Sequence, residues 1–331
     1  ILVRMLQSDQ SLENVAMIVF DEVHERSIHT DLSLALSLQV QELLRDDLKL
    51  LIMSATLNQD ELSSILKDAP IITSKGKIYD VQNIYLEQNI KQPDYKSITK
   101  LLLSTILDSI CNDEGDILVF LAGSKEIKIL HKQLNEKIKD TNIVILPLYS
   151  ALSKKEQDRA IYKNIKRKII LSTNIAQTSL TIEGVKVVID SGLEKQSRYN
   201  YSNAMNHLDL NFISNDAAIQ RAGRAGRLSN GKCYKLWHQN KILQKSTKPE
   251  ILRSDLSSLL LDLALWGVKE FDELQWLDTP ADKVTNSTKE VLQELQMLDD
   301  SFQITIFGKE ALSLGLHPRY AFMILVANDL G

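Results

Sequence analysis

Hydrophobic residues in the first seventy positions form two short apolar runs that end in polar residues. Residues 15–20 (VAMIVF) predict a buried strand of a parallel sheet, and residues 48–53 (LKLLIM) predict a second one. The apolar positions of residues 31–44 fit both an alternating and a helical spacing, but the length of this segment favours a helix. Helices are also predicted for residues 1–6 and 60–68. This order is typical of parallel α/β sheets.

A second series of alternating strands and helices follows a polar, strand-like stretch at residues 75–95. We place a domain boundary before that stretch, near Thr73. Helices are predicted for residues 97–111, from Ser124 onward and for 154–164. The predicted strands are residues 116–120, 142–146, 167–171 and 185–190. This alternation indicates a doubly wound parallel sheet.

The last part of the chain changes from mixed to helical patterns. Residues 195–213 lack a helix signal and suggest an exposed hairpin, and residues 216–227 predict a helix interrupted by glycines. Residues 231–237 (GKCYKLW) predict an edge strand. Beyond them the helical stretches are 251–267, 282–299 and 317–330, with a short strand expected at 302–307. Helices followed by a short strand are compatible with a winged-helix domain.

Composition narrows the class of protein. The chain has 331 residues, of which 44% are hydrophobic and 25% are charged, as in ordinary globular proteins of about two or three domains. Neither a signal peptide nor an apolar run of roughly 18 residues is recognised. Two cysteines, Cys111 and Cys233, fit a reducing compartment, so we expect a cytoplasmic protein without membrane partners. The net charge of −4 disfavours indiscriminate nucleic-acid coating but leaves room for a local basic groove.

Two adjacent carboxylates, Asp21 and Glu22, stand at the end of the first predicted strand. Ligands bind at this edge of open α/β sheets, and paired acids there suit a Mg²⁺ ion and an attacking water. The alternative is an ordinary turn whose acids favour the positive end of the next helix. His24 and His29 resemble a zinc-protease helix, but they are five residues apart rather than four. That spacing places them about 140° apart around a helix, which argues against a metal site.

Three arginines, Arg221, Arg224 and Arg227, recur every three residues with only alanine and glycine between them. On a helix they would drift slowly along one side, and the glycines would let a backbone or a phosphate approach closely. Guanidinium groups match phosphate oxygens in pairs. No acidic residue lies between Ala217 and Lys232 to neutralise them. The alternative is a solvated basic helix, although such helices are rarely built on glycine and alanine.

Five stretches, taken in order, carry a resemblance to a known family. They are VFDEVHERSIHTDLSLAL, LLIMSATL, ILVFLAGSKEI, LSTNIAQTSLTIEGVKVVIDSG and QRAGRAGR. Together they resemble the motifs of superfamily 2 helicases of the DEAH-box group, with Asp-Glu-Val-His as a minor variant of the tetrad. The stretches LVRMLQSD, LRDDLKLLIMSATL and GLHPRYA look most like the bacterial HrpB-type members. The resemblance covers essentially the whole chain.

The resemblance implies an α/β fold of tandem RecA-like parallel sheets, the first incomplete, followed by a winged helix and the start of a helical domain. The implied domains are residues 1–73, 74–240, 241–314 and 315–331. It also implies an ATP-dependent RNA helicase that uses ATP and Mg²⁺ and moves along single-stranded nucleic acid, with RNA the expected strand. Partner proteins are not implied.

Catalytic roles follow from the resemblance position by position. Asp21, with Glu22, would bind Mg²⁺, and Glu22 would orient or deprotonate the attacking water. His24 would couple this site to the second lobe through Gln220. The arginine fingers on the γ-phosphate, supplied across the cleft, would be Arg224 and Arg227.

Binding roles are implied in the same way. Residues that link hydrolysis to lobe movement would be Ser54 and Thr56. Nucleotide contacts would come from Ser179, Thr181 and Glu183. Contacts to the RNA backbone would come from Thr173 and Asn174, with Gly123 and Ser124 as weaker candidates. Backbone contacts of this kind allow strand tracking without sequence specificity.

Three departures from the family pattern limit these expectations. The phosphate loop G-x-x-x-x-G-K-[ST] does not occur, and we expect it upstream of Ile1 in a longer protein. Without it this fragment alone should not hydrolyse ATP. Gln177 stands where the family has Glu, and Leu193 stands where eukaryotic relatives carry a base-stacking aromatic. The alternatives to an RNA helicase are a non-hydrolysing RNA-binding scaffold and a DNA-directed helicase.

Overall fold

The structure is a computed structural model that divides into two compact units. It describes residues 1–55, 66, 69–74, 79–87, 95–178, 180–201 and 203–330. Unit 1 comprises residues 1–72, 198–206 and 248–331, and unit 2 comprises residues 73–197 and 207–247. Thr56, Ser179 and most of the helix predicted at 60–68 lie outside the described residues. The four domains implied by the resemblance stay a prediction.

The amino-terminal part of unit 1 is a strand–helix–strand unit. Its elements are α1 (Leu2–Ser8), β1 (Met17–Phe20), α2 (Ile28–Leu43) and β2 (Lys49–Ile52). β1 and β2 pair in parallel, with Phe20 opposite Ile52. α2 begins at Ser27, whose hydroxyl oxygen accepts the Thr30 N–H, the usual N-cap arrangement. The helical reading of residues 31–44 is therefore confirmed.

The buried strand predicted for residues 15–20 is buried on one face only. Ile18 and Phe20 point into the core with the leucines of α2, but Met17 and Val19 are about half exposed. Side chains alternate between the faces of a strand, so covering one face of the β1–β2 pair buries only every second residue. Within the described part of unit 1, no element covers the other face.

The carboxyl-terminal part of unit 1 is helical and shares one hydrophobic core with β1 and α2. Its helices are α7 (Ser257–Trp266), α8 (Asp282–Glu294), α9 (Ile306–Ser313) and α10 (Pro318–Leu330). Phe20, Leu36, Leu259 and Leu292 all belong to that core.

The strand predicted at residues 302–307 is limited to a single bridge between Ile304 and Leu298. Thr305 ends the extended conformation because its hydroxyl accepts the Gly308 N–H and starts α9. Residues from 306 onward therefore form a helix instead of continuing the predicted strand.

Unit 2 is a six-stranded parallel sheet with helices on both faces, which confirms the predicted α/β class. The strands, in spatial order, are β3 (Val81–Leu86), β10 (Gly231–His238), β7 (Val185–Asp190), β4 (Asp116–Phe120), β6 (Arg167–Ser172) and β5 (Ile143–Leu148). The helices are α3 (Tyr95–Asn112), α4 (Ser124–Lys137), α5 (Lys154–Ile161) and α6 (Asn215–Gly223). Leucines and isoleucines of α3 and α4 pack on one face, and Ala160 and Ala222 lie in the core of the other.

The strand predicted for residues 231–237 exists, but it is not an edge strand. β10 lies between β3 and β7, and β3 forms the edge. Lysines usually mark edges, yet Lys235 is buried here. Its ammonium group lies 3.2 Å from the hydroxyl of Tyr85 and 5.1 Å from the centre of that ring. The ammonium group of Lys235 thus has a hydrogen-bond partner on the neighbouring strand. The alternation of polar and apolar residues does not reveal that partner.

The hairpin predicted between residues 195 and 213 is confirmed. β8 (Leu193–Asn200) and β9 (Met205–Phe212) form a two-stranded sheet of their own. No helix in the described ranges is long and apolar enough to cross a membrane.

Candidate functional site

The acidic pair lies on a tight turn that follows β1. Asp21 is exposed, and its Oδ1 accepts the N–H of Glu22 at 2.8 Å. Glu22 has a φ of 51°, in the left-handed region, and starts a 3-10 turn over Val23–Glu25. The N–H of Val23 donates to the carbonyl of Met53 at 3.2 Å, so the turn is attached to the end of β2. Left-handed residues other than glycine cost about 1–3 kcal/mol, and such strain is typical of functional turns.

His24 connects this turn to the segment after β2. Its side chain is 7% exposed, its Nε2 lies 3.5 Å from Oε2 of Glu22, and its Nδ1 accepts the N–H of Ala55 at 3.4 Å. Ser54, on the same segment, is exposed. The structure therefore brings together Asp21, Glu22, His24 and the Ser54 segment.

The exposed carboxylate of Asp21 fits a divalent cation. Among the described residues, its Oδ2 takes part in no hydrogen bond or ion pair, and carboxylate oxygens are the ligands that Mg²⁺ prefers. The described chain holds no cluster of three acidic, histidine or cysteine side chains that would form a complete protein cage. A Mg²⁺ ion here would thus take its other ligands from water and from the phosphates of a nucleotide, as it commonly does.

Arg221 is part of the core of unit 2 and does not face a ligand. Its side chain and that of Asp190 are both fully buried, with Nη1 3.0 Å from Oδ1. Its guanidinium also lies 4.9 Å from the centre of the Phe120 ring. The three arginines do not follow one side of a helix, because α6 ends at Gly223 and a 3-10 turn over Arg224–Gly226 follows. Both the single basic face and the solvated basic helix are therefore wrong for Arg221.

Gln177, which departs from the pattern of the resembled family, makes two side-chain bonds to α6. Its amide oxygen accepts from Nε of Arg221 at 3.0 Å, and its amide nitrogen donates to Oε1 of Gln220 at 3.0 Å. A glutamate at this position could accept from Arg221 but could not donate to Gln220. The amide thus connects the loop after β6 to two residues of α6.

Arg224 and Arg227 hold the loop that leads into β7. Arg224 is buried and donates to the carbonyl oxygens of Gln177 and Leu180 at 2.8 and 2.6 Å, and also to that of Thr178. Arg227 is exposed, and its Nη1 donates to the hydroxyl of Thr181 at 2.6 Å. The two predicted arginine fingers and the predicted nucleotide residue Thr181 are therefore neighbours.

The two glycines between these arginines differ in their surroundings. A Cβ on Gly226 would lie 2.7 Å from the carbonyl oxygen of Tyr79, so glycine is required for the approach of the β3 segment. A Cβ on Gly223 would meet nothing within 4 Å. The close approach expected from the glycines is thus made at Gly226 by backbone.

The remaining predicted residues lie at opposite edges of the parallel sheet. Thr173 and Asn174 follow β6, and Gly123 and Ser124 follow β4, so these four mark the carboxyl edge. Asn174 and Ser124 are exposed, whereas Gly123 is buried at the start of α4. The predicted nucleotide residues Thr181 and Glu183, both exposed, precede β7 at the amino edge. Predicted nucleic-acid and nucleotide residues of unit 2 are therefore separated by the length of the strands.

Sequence reasoning missed Arg26, which lies two residues after His24. Although burial lowers the pKa of its guanidinium, Asp31 and Asp278 raise that pKa overall. The same burial raises the pKa of Asp31. The sequence near Arg26 contains one of its partners, Asp31, but gives no sign that Asp278, which is distant in the sequence, completes the buried site.

Comparisons with known proteins agree with this geometry. Residues 98–229 match the helicase conserved C-terminal domain. The chain is 38% identical to the ATP-dependent RNA helicase HrpB of Escherichia coli K12 over 99% of its own length and 40% of that protein. It is 35% identical to the probable ATP-dependent RNA helicase DHR2 of Saccharomyces cerevisiae, over 100% of this chain and 46% of that protein.

Solved structures show the same relation. The crystal structure of the Escherichia coli DEAH/RHA helicase HrpB superposes with a TM-score of 0.88 at 38% identity, over 97% of this chain and 41% of that one. The chain thus spans about two fifths of the length of these HrpB relatives. By sequence, domain match and fold, this chain is similar to the DEAH-box helicases, HrpB among them.

Proposed function

We propose that the protein containing this chain is an ATP-dependent RNA helicase that couples ATP hydrolysis to movement along single-stranded nucleic acid. The observation that carries the proposal is the exposed Asp21–Glu22 pair on a turn at the end of a parallel strand, with His24 joining that turn to the Ser54 segment. Such an arrangement suits a metal-bound nucleotide and a positioned water. The names of the relatives, ATP-dependent RNA helicases, support the same activity.

In this proposal the residues of the turn divide the work of hydrolysis. Asp21 holds Mg²⁺, which when bound neutralises charge on the phosphates. Glu22 orients the attacking water or accepts its proton. His24 contacts both the Glu22 carboxylate and the segment of Ser54 and so fixes their relative positions. Thr56 is proposed to act with Ser54 in linking hydrolysis to movement.

The amino edge of unit 2 would contact the nucleotide. Arg227, Thr181 and Glu183 are exposed there, and Ser179 belongs to the same proposed set. Arg224 would have to release at least one of its carbonyl partners to reach a phosphate. Coupling between Gln220 and His24 remains part of the proposal.

The carboxyl edge of unit 2 would contact the sugar–phosphate backbone. Thr173, Asn174, Gly123 and Ser124 offer hydroxyl, amide and backbone groups of the kind that bind phosphates. Contacts of this type position a strand without reading its bases, so we propose sequence-tolerant binding of a single strand.

Replacing Glu22 tests the catalytic role. In the complete protein, E22Q should bind ATP and RNA within about twofold of wild type, while kcat for RNA-stimulated hydrolysis falls about 100-fold or more, the usual size of a general-base effect. The change removes the group that acts on water and leaves the size of the side chain unchanged. E13Q, at an exposed glutamate before β1 and outside the turn, is the matched control.

Two further results would overturn parts of the proposal. Normal turnover in E22Q would remove Glu22 from its role, and RNA binding without any ATP turnover in the wild type would favour a scaffold. A strand of DNA that stimulates turnover as well as RNA, at matched salt concentration, would contradict selectivity for RNA.

A further inference from the structure

Arg26 is a buried arginine with an unusual backbone conformation and two acidic partners. Its φ is 52°, in the left-handed region, and its side chain is 9% exposed. Nε and Nη2 lie 3.3 and 3.2 Å from the two carboxylate oxygens of Asp31. Nη2 also lies 2.7 Å from Oδ2 of Asp278. The two carboxylates belong to α2 and to the segment before α8, so the guanidinium joins two distant parts of unit 1.

The backbone around Arg26 is attached to the carboxyl-terminal segment as well. The N–H of Glu250 donates to the carbonyl oxygen of Arg26 at 3.0 Å. In return, a carboxylate oxygen of Glu250 accepts the N–H of Ile28 at 2.9 Å. Residues on both sides of Ser27 are therefore held by one glutamate more than 200 positions away in the sequence.

The turn that carries Glu22 and His24 is bounded by two left-handed residues, Glu22 and Arg26. Their conformation is unfavourable for side chains with a Cβ, so surrounding contacts must maintain it. At one end the Val23 N–H bonds to Met53, and at the other the Arg26 N–H bonds to the carbonyl of Val23 at 3.1 Å. The guanidinium, fixed by two carboxylates, is the further restraint at the second end.

We propose that Arg26 is a positioning residue for hydrolysis, which holds the turn of Glu22 and His24 in place through its ion pairs with Asp31 and Asp278. The inference rests on the proposed function, and it gives the segment around Asp278 a part in turnover although that segment contributes no catalytic group. Because Arg26 acts through the orientation of Glu22, its loss should lower kcat and leave nucleotide binding intact.

The test uses the complete protein and the partly exposed partner, Asp278. D278N removes one charge from the guanidinium and keeps the shape of the side chain. E270Q is the matched control, because Glu270 is also a partly exposed carboxylate, 2.7 Å from a buried cation (Lys289) in the same unit. D278E restores the charge, and R26K tests the arginine itself, since lysine cannot bridge two carboxylates with a planar fork.

Two measurements are made on each variant: amide hydrogen exchange of residues 22–26, and steady-state ATP hydrolysis at saturating RNA. D278N should exchange about tenfold faster at these amides and lose about fivefold in kcat, with KM for ATP unchanged within twofold. R26K should show larger changes of the same kind. E270Q and D278E should resemble wild type in both measurements.

The exchange data separate this inference from the proposed function. Unchanged exchange in both D278N and R26K would overturn the inference, as would faster exchange with unchanged kcat, or a raised KM at constant kcat. If the wild type itself fails to hydrolyse ATP, the proposed function fails and the catalytic role of Arg26 with it. Faster exchange in that case would still establish that Arg26 holds the turn.

Discussion

The turn after β1 and the arginine segment after α6 use charged residues in opposite ways. Asp21 is exposed and Glu22 is strained, with carboxylates directed to a place where a ligand can reach them. Arg221 is fully buried with Asp190, and Arg224 donates to the backbone of the neighbouring loop. Both segments match motifs of the resembled family, yet Asp21 presents its charge to solvent, whereas Arg221 and Arg224 use theirs inside unit 2.

The difference shows that a motif match alone does not tell whether a charged residue contacts a ligand or supports the fold. A buried ion pair is expensive to form, but breaking it is more costly, because the remaining charge stays buried without a partner. Arg221 also bonds to Gln177, so the pair positions the same loop that Arg224 and Arg227 hold. The arginine segment thus holds the loop between β6 and β7 in place, and Arg221 and Arg224 do so from buried positions.

The largest expected effect comes from breaking the Arg221–Asp190 pair. R221M should lower the free energy of unfolding by about 3–5 kcal/mol, since Asp190 would remain buried and unpaired. R227M, at an exposed arginine of the same segment, should change it by less than about 1 kcal/mol. Urea denaturation of both variants measures the difference. Equal stability of the two would show that burial does not distinguish these arginines.

A second, smaller effect concerns the Asp255 carboxylate of unit 1. Although burial raises the pKa of Asp255, hydrogen bonds from His317 and Ser257 lower it to about 2. The folded pKa lies below the unfolded value of about 3.9, so the carboxylate stabilises the fold above that value and the stabilisation is lost as pH falls towards 2. The loss should amount to about 2 kcal/mol.

D255N tests this expectation, because it removes the titrating group. Between pH 5 and pH 2 the unfolding free energy of the wild type should fall more steeply than that of D255N. If the unfolding free energies of the wild type and D255N fall in parallel with pH, the contact with His317 does not perturb Asp255. That result would weaken the contrast between this acid-sensitive contact of unit 1 and the deeply buried Arg221–Asp190 pair of unit 2.

The smallest expected effect on stability comes from relieving backbone strain, at one residue of the candidate site and at one residue outside it. Glu22 and Gln296 both have a left-handed conformation, with φ of 51° and 58°. E22G and Q296G should each gain about 0.5–1 kcal/mol of stability, because glycine adopts this conformation without steric cost. Only E22G should lose ATP turnover in the complete protein. The loss is expected because E22G also removes the carboxylate proposed to act on the attacking water. Retained turnover in E22G would remove Glu22 from that role.

Strands and motif positions could be predicted because their signals are local. The strands at 116–120 and 185–190 have the predicted bounds, since each is a compact apolar run bounded by polar residues. The position of β10 could not be predicted, because the burial of Lys235 depends on Tyr85 of the neighbouring strand. The exposed face of β1 was missed for a related reason, since burial of a strand depends on what packs against each side.

In the candidate site, the sequence identified the residues and their order but not their surroundings. The glycines predict an interrupted helix, but the spacing of Arg221, Arg224 and Arg227 does not show that the helix ends at Gly223. The three side chains are therefore expected on one side, which the structure contradicts. Gln177 was recognised as a departure, but its two bonds became visible only with α6 beside the loop.

The amino-acid sequence by itself determined the α/β class, the alternation of elements and the positions of the acidic pair, because these depend on spacing between near neighbours. Only the tertiary structure decided which charges are buried and with which partners. Asp190 and Arg221 are 31 positions apart, and Arg26 and Asp278 are 252 apart, so their pairing depends on how whole elements pack. Burial sets the strength of each pair, and burial is a property of the packed chain that no local pattern encodes.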